Sequence, residues 1–142
     1  MTGKTIEELR TGETQRFAKT ISESDVYGYA GITGDLNPAH IDEQYAGNTF
    51  FKTRIAHGML TAGFISAIIG TKLPGPGTIY ISQTLNFRAP VRIGDTITAF
   101  VEVSEIVTEK NRVRLKTTCV NQDDTLVLDG EAVVSPPKAQ GT

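Results

Sequence analysis

RIAHGMLTAGFISAIIGTKLPGPG, residues 54–77, is the stretch that decides the fold. Ile55, Met59, Ala62, Phe64, Ile65, Ile68 and Ile69 are apolar on nearly every side of a helix running from Arg54 to Leu73, and such a helix must be wrapped by other elements. His57, several Thr and Ser residues and three glycines interrupt the run, so it reads as a buried helix rather than a membrane span. Pro74-Gly75-Pro76-Gly77 then forces a turn.

The wrapping comes from the chain beyond that turn. It is rich in β-branched residues and divides into strands at about Thr78–Phe87, Asp95–Glu109, Arg112–Asn121 and Thr125–Ser135. Glu109-Lys110-Asn111-Arg112 and Gln122-Asp123-Asp124 are short polar breaks, which predicts an antiparallel meander for the last three. Upstream, a loose alternation over Glu13–Ile21 predicts a first strand. Ser22, with Asp25 three residues on, then predicts a capped helix that stops at Gly34. Between Asp35 and Thr53 the pattern is irregular: Pro38 disfavours helical geometry at Asn37, and Asp42 offers a cap to a short turn over Glu43–Ala46. Pro136-Pro137 and the polar tail to Thr142 are expected to end the ordered structure. One strand, a helical excursion, a long helix and consecutive antiparallel strands describe an α+β domain whose sheet curls around a central helix.

Composition narrows the function. A length of 142 residues suits one domain, and 39% hydrophobic with 21% charged residues is an ordinary globular balance. A net charge of −2 with scattered cations leaves no basic stripe, so nucleic acid is not expected as a partner. Cys119 is the single cysteine, which excludes an internal disulfide and a thiolate zinc site and suits a reducing cytoplasm. Met1–Arg10 lacks the apolar stretch of a secretory signal.

Two segments carry chemistry. Gly34-Asp35-Leu36-Asn37-Pro38-Ala39-His40 sets a carboxylate and an imidazole five residues apart. On a regular helix that spacing diverges by about 140°, so a shared site needs the bend that Asn37-Pro38 favours. His moves protons near neutral pH and Asp can orient the same water, although a turn-capping Asp and a structural His give the same pattern. Ala56-His57-Gly58-Met59-Leu60 opens the long helix, where free N–H groups and the positive dipole end suit an oxyanion and Gly58 permits close approach; tight helix packing would equally call for that glycine. His57 reads as a structural hydrogen-bonding residue. Tyr27, Tyr29, Tyr45 and Tyr80 read as pocket walls or core, and Cys119 as a small buried hydrophobe. Lys52, Arg54, Lys72 and Arg88 are the cations to consider for a ligand phosphate, with an individually solvated cation the default for each.

Taken together these motifs resemble the MaoC-like, hydratase 2 family of (R)-specific enoyl-CoA hydratases, including the bacterial enzymes that supply polyhydroxyalkanoate synthesis. Asp35, Asn37, Pro38 and His40 match its D-x-N-P-x-H core, His57-Gly58-Met59 comes next, and Leu73-Pro74-Gly75 with Tyr80 continues the likeness, which extends from about Phe17 to Val134. The resemblance implies a hot-dog fold, a homodimer joined sheet edge to sheet edge, and an acyl-CoA substrate with no metal or redox cofactor. It implies Asp35 and His40 as the catalytic dyad, Gly58 as donor to the thioester oxygen, and Ser66, Ile69 and Asn37 as substrate-binding positions, Ile69 lining the acyl tunnel. A dehydratase acting on acyl carrier protein, a hot-dog thioesterase and a noncatalytic acyl-CoA-binding module are the alternatives.

Overall fold

The computed structural model describes residues 2–140, which leaves Met1, Gly141 and Thr142 outside the described residues, the last two being the end of the expected tail. The elements in chain order are β1 (Thr14–Thr20), α1 (Glu23–Thr33), α2 (Pro38–Ile41), α3 (Glu43–Gly47), α4 (Gly58–Thr71), β2 (Ile79–Gln83), β3 (Asn86–Phe87), β4 (Thr96–Val107), a 3-10 turn (Thr108–Lys110), β5 (Arg112–Val120) and β6 (Leu126–Ser135). All strand pairs are antiparallel, in the order β1-β4-β5-β6-β2, with β3 also on β6.

The meander β4-β5-β6 is as expected, and its alternation is strict enough to show why. Ile97, Ala99, Val101 and Val103 of β4, with Val113, Leu115, Thr117 and Cys119 of β5, all point inward and are buried. Leu60, Ala62, Ile65, Ile68 and Ile69 of α4 meet them. Each such side chain removed from water contributes roughly 1.5–3 kcal/mol, which pins α4 across β1, β4 and β5.

Three expectations are corrected. The central helix runs from Gly58 to Thr71, not from Arg54, because the preceding backbone is used elsewhere: Ile55 forms an isolated bridge with Arg92, and the Ala56 N–H donates to the Val91 carbonyl at 2.7 Å. Nor is α4 wrapped on all sides. Met59, Gly63, Ser66, Ala67 and Gly70 form an exposed stripe opposite the sheet. Finally, the strand expected over Thr78–Phe87 is two strands, broken at Thr84 and Leu85, with a register shift between Tyr80 and Ser82. The break sits where β6 carries Gly130, at which a Cβ would lie 1.8 Å from the Thr84 carbonyl oxygen; only glycine admits that approach.

α1 is capped as its sequence requires. Ser22 accepts from the Asp25 N–H and Asp25 accepts from the Ser22 N–H, and Gly34 closes the helix at φ 82°. The N-terminal segment is more than a polar lead-in, since Ile6 and Leu9 are core residues and the Gly3 N–H donates to the Pro76 carbonyl at 2.8 Å. At the other end β6 stops at Ser135, but Pro136 stays packed and accepts from the Asn111 side chain at 2.9 Å.

If α4 is held by this one-sided core, Ile65→Ala should lower unfolding free energy by about 2–5 kcal/mol and Ile65→Val by only about 0.5–1.5. Urea unfolding with an unchanged m-value measures both, and equal losses would show that the site repacks freely.

Candidate active site

The excursion between α1 and α4 is built by two short capped turns. Asn37 takes the N-cap of α2 and its side-chain oxygen accepts from the Ala39 N–H at 3.0 Å, with Pro38 in the first helical position, where its lack of an N–H does no harm. Asp42 does the same for α3, accepting from the Tyr45 N–H at 3.1 Å. The first cap delivers the bend that lets a carboxylate and an imidazole five residues apart converge. One carboxylate oxygen of Asp35 and one ring nitrogen each of His40 and His57 lie within 4.8 Å of one another. Asp35 is exposed, whereas His40 and His57 are 8% and 2% exposed.

Hydrogen bonding sets the proton positions. His40 Nδ1 lies 2.7 Å from the Ile55 carbonyl, which can only accept, so Nδ1 carries a proton and in the neutral ring the lone pair is on Nε2. His57 Nε2 likewise donates to the Asp35 carbonyl at 3.0 Å. The two rings stack at 3.8 Å between centroids and 28° between planes, and Tyr29 packs on the other side of His57 at 4.6 Å. His57 thus makes the structural hydrogen bond its position suggested, holding the backbone of Asp35 and stacking on the His40 ring, while its Nδ1 is buried with no partner among the described residues.

Two imidazoles and a carboxylate are also the donor set of some metal centres. A shared ion would have to meet both lone pairs in the ring planes at about 2.0–2.1 Å. Rings stacked face to face at 3.8 Å present those lone pairs in separate planes, so the cluster suits a hydrogen-bonded water better than an ion.

Beside this pair the first turn of α4 is open. His57 occupies the N-cap without making a side-chain cap bond, which leaves the leading N–H groups of Gly58 and Met59 to other partners. A Cβ at Gly58 would meet the Phe87 ring at 2.6 Å, so any larger residue there would have to displace that half-exposed ring. A cleft of about 510 Å³ begins at this point and runs along Met59, Thr61, Phe87, Arg88 and Leu128, mostly apolar in lining.

Of the residues singled out from sequence, Asp35, His40 and Gly58 are brought to one place. Only Gly58 of these lines the cleft: Asp35 and His40 lie just outside its lining, and so do the three positions expected to bind substrate. Asn37 is occupied as a cap, Ser66 lies on the exposed stripe of α4, and Ile69 is a core residue at 2% exposure. None of the four tyrosines lines the cleft either. Among the cations, Arg54 is already engaged, donating to Glu23 at 2.7 Å and to the Tyr27 hydroxyl at 2.6 Å. The Tyr27 hydroxyl and that guanidinium hold the Glu23 carboxyl below the usual carboxylate range. Lys72 donates to the Arg16 carbonyl at 2.9 Å. Arg88 is the one of the four that lines the cleft, paired there with Asp129 at 3.2 Å. Sequence reading missed Thr61, which is 2% exposed, lines the cleft and has no hydrogen-bond partner for its hydroxyl among the described residues.

An antiparallel sheet curled about one helix, with a carboxylate–imidazole pair against the start of that helix, defines a hot-dog protein with a polar site at the helix N-terminus. Residues 7–126 match the family model described as MaoC like domain. The chain is 57% identical over 132 residues to an (R)-specific enoyl-CoA hydratase of Rhodospirillum rubrum, covering 93% of this chain and 91% of the relative. It is 58% identical over 135 residues to a 3-hydroxybutyryl-CoA dehydratase of Methylorubrum extorquens, covering 95% and 85%. Among solved structures, R-hydratase PhaJ1 from Pseudomonas aeruginosa in the unliganded form superposes with a TM-score of 0.92 at 46% identity, covering 97% of this chain and 88% of that one. The chain belongs to the MaoC-like family.

Cys119 takes no part in the site. It is buried on the inner face of β5, and burial pushes its thiol up to about 12. Because the thiolate is the reactive form, a disulfide reagent at about pH 8 should leave Cys119 untouched in the native protein and label it on unfolding. Prompt labelling of folded protein would contradict this placement.

Proposed function

We propose that this chain is an (R)-specific enoyl-CoA hydratase, a hydro-lyase that adds water reversibly to trans-2-enoyl-CoA to give (R)-3-hydroxyacyl-CoA. The observation that carries the reading is the convergence of the Asp35 carboxylate and the His40 ring within 4.8 Å, beside the open first turn of α4. A water between the two loses a proton to His40 Nε2, the nitrogen left basic by the Ile55 carbonyl, while Asp35 orients it toward C3. Negative charge then moves to the thioester oxygen, where the Gly58 N–H and the positive helix end stabilise it more strongly than they do the ground state. The proton returns to C2, and dehydration reverses the steps. The thioester itself is the electron sink, so the reaction calls for no metal or redox cofactor.

The coenzyme A carrier is favoured by identities of 57% and 58% to relatives named for CoA substrates, and Arg88, which lines the cleft, is the cation proposed to meet it. A dehydratase working on acyl carrier protein would use the same dyad. The active unit is proposed to be a homodimer: among the described residues β2 is an unpaired sheet edge bearing exposed Ile79, Tyr80 and Ile81, and the small residues of α4, Ser66 among them, offer a second exposed face. No helix among the described residues is long and apolar enough to cross a membrane; a cytoplasmic location is part of the proposal, in keeping with a single cysteine that can form no internal disulfide.

With crotonyl-CoA the enoyl absorbance should fall to an equilibrium without release of free thiol; thiol release with an intact enoyl group would indicate a thioesterase instead. Asp35→Asn and His40→Ala should each lower kcat by at least ~10²-fold while remaining folded. The double variant should be little worse than the poorer single, because both side chains act on one water. Near-normal turnover in either folded single variant would remove that residue from the reaction.

A further inference from the structure

Thr61 has no role in the chemistry described so far, yet its setting is unusual. It is 2% exposed, and its hydroxyl has no hydrogen-bond partner among the described residues, a state it shares there with His57 Nδ1 and the Thr78 hydroxyl, of which only Thr61 belongs to a residue lining the cleft. It lines the cleft, as do Gly58 and Met59 of the same helix and the apolar Val127 and Leu128 of β6. Buried hydroxyls left unpaired are rare in folded proteins, and one on a residue that lines a ligand cleft can gain its partner from the ligand. A helical side chain leans toward the N-terminus, so residue i+3 covers the turn that begins at residue i. Thr61 stands in that relation to Gly58, whose N–H is unclaimed by any cap.

From this juxtaposition we infer that the Thr61 hydroxyl is a second donor to the thioester carbonyl oxygen, acting beside the Gly58 N–H. This rests on the hydratase reading, since it is the oxygen of the enoyl thioester that both groups hold. Two donors from one helical turn approach that oxygen from different directions and fix the plane of the thioester against the dyad. Charge on the oxygen grows as water adds at C3, so the hydroxyl bond strengthens toward the transition state and its loss should fall mainly on kcat. The interaction moves no proton and breaks no bond.

The test uses the full chain, with Thr61→Val removing the hydroxyl at nearly constant shape and Thr61→Ser keeping it. Carbonyl-labelled butyryl-CoA, which cannot be hydrated, reports the hydrogen bonds as a lowered C=O stretching frequency when bound. Wild type and Thr61→Ser should show the full shift and Thr61→Val a smaller one. Turnover of crotonyl-CoA by Thr61→Val should fall about 10²-fold in kcat with KM little changed, while Thr61→Ser stays within a few-fold. The thermal midpoint of Thr61→Val should be no lower than wild type, because an unpaired buried hydroxyl has been removed; if that variant does not fold, Thr61→Ala is read the same way. An unchanged carbonyl shift and kcat in Thr61→Val would overturn the inference, as would equal losses in Thr61→Val and Thr61→Ser, which would mark a packing role. A wild type that neither binds butyryl-CoA nor hydrates crotonyl-CoA would overturn the hydratase reading and the inference with it.

Discussion

The site depends on a reciprocal lock between two histidines and two backbone carbonyls. His40, from the excursion, donates to Ile55 beside the central helix; His57, at the start of that helix, donates back to Asp35 in the excursion. Each bond contributes only about 1 kcal/mol to stability. Together with the stacking of the two rings they set where the excursion lies and which nitrogen of His40 is basic. Without them an exposed Asp on a loop would have no fixed relation to the helix, and the proximity that acid–base chemistry requires would be lost.

That lock joins two regions of different character. On one side is the polar pair of Asp35 and His40; on the other is a cleft of about 510 Å³ with mainly apolar walls that does not include either residue. Gly58 and Ile55 connect them. Ile55 lines the cleft and holds His40 with its carbonyl, while Gly58 lets Phe87 approach and leaves its N–H free of any cap. An extended acyl thioester suits this division, with its apolar length in the cleft and its reacting carbons near the pair. Ser66 belongs to neither region: it sits on the exposed stripe of α4 and gains no pocket within one chain.

Much of the fold was legible because alternation and capping are local signals. The inward positions of β4 and β5 come directly from period-two patterning, and the Ser22–Asp25 box and the Asp42 cap are written in adjacent residues. The convergence of Asp35 and His40 was legible because Asn37-Pro38 announces a bend between them. Less legible were features decided by distant backbone. Residues 54–57 have helical composition, but Val91 and Arg92 draw them into an extended run. Ile6 and Leu9 are two apolar residues in a polar segment, too few to signal burial before the Gly3–Pro76 contact is known. Ile69 reads the same whether it faces a tunnel or the sheet. Thr61 was hidden for the opposite reason: one hydroxyl in an apolar helix is ordinary until the cleft beside it is seen.

The proposed shared action of Asp35 and His40 on one water makes a demand on stereochemistry that other arrangements do not. If the water sits against one face of the enoyl group, its oxygen reaches C3 and its proton reaches C2 from that same side. Crotonyl-CoA hydrated in D₂O, with the configurations at C2 and C3 determined separately, tests this directly. Syn addition giving the (R)-3-hydroxy product is the expected result. Anti addition would contradict delivery from a single water, whereas syn addition giving the (S) product would leave the dyad in place and reverse only the face of the alkene presented to it.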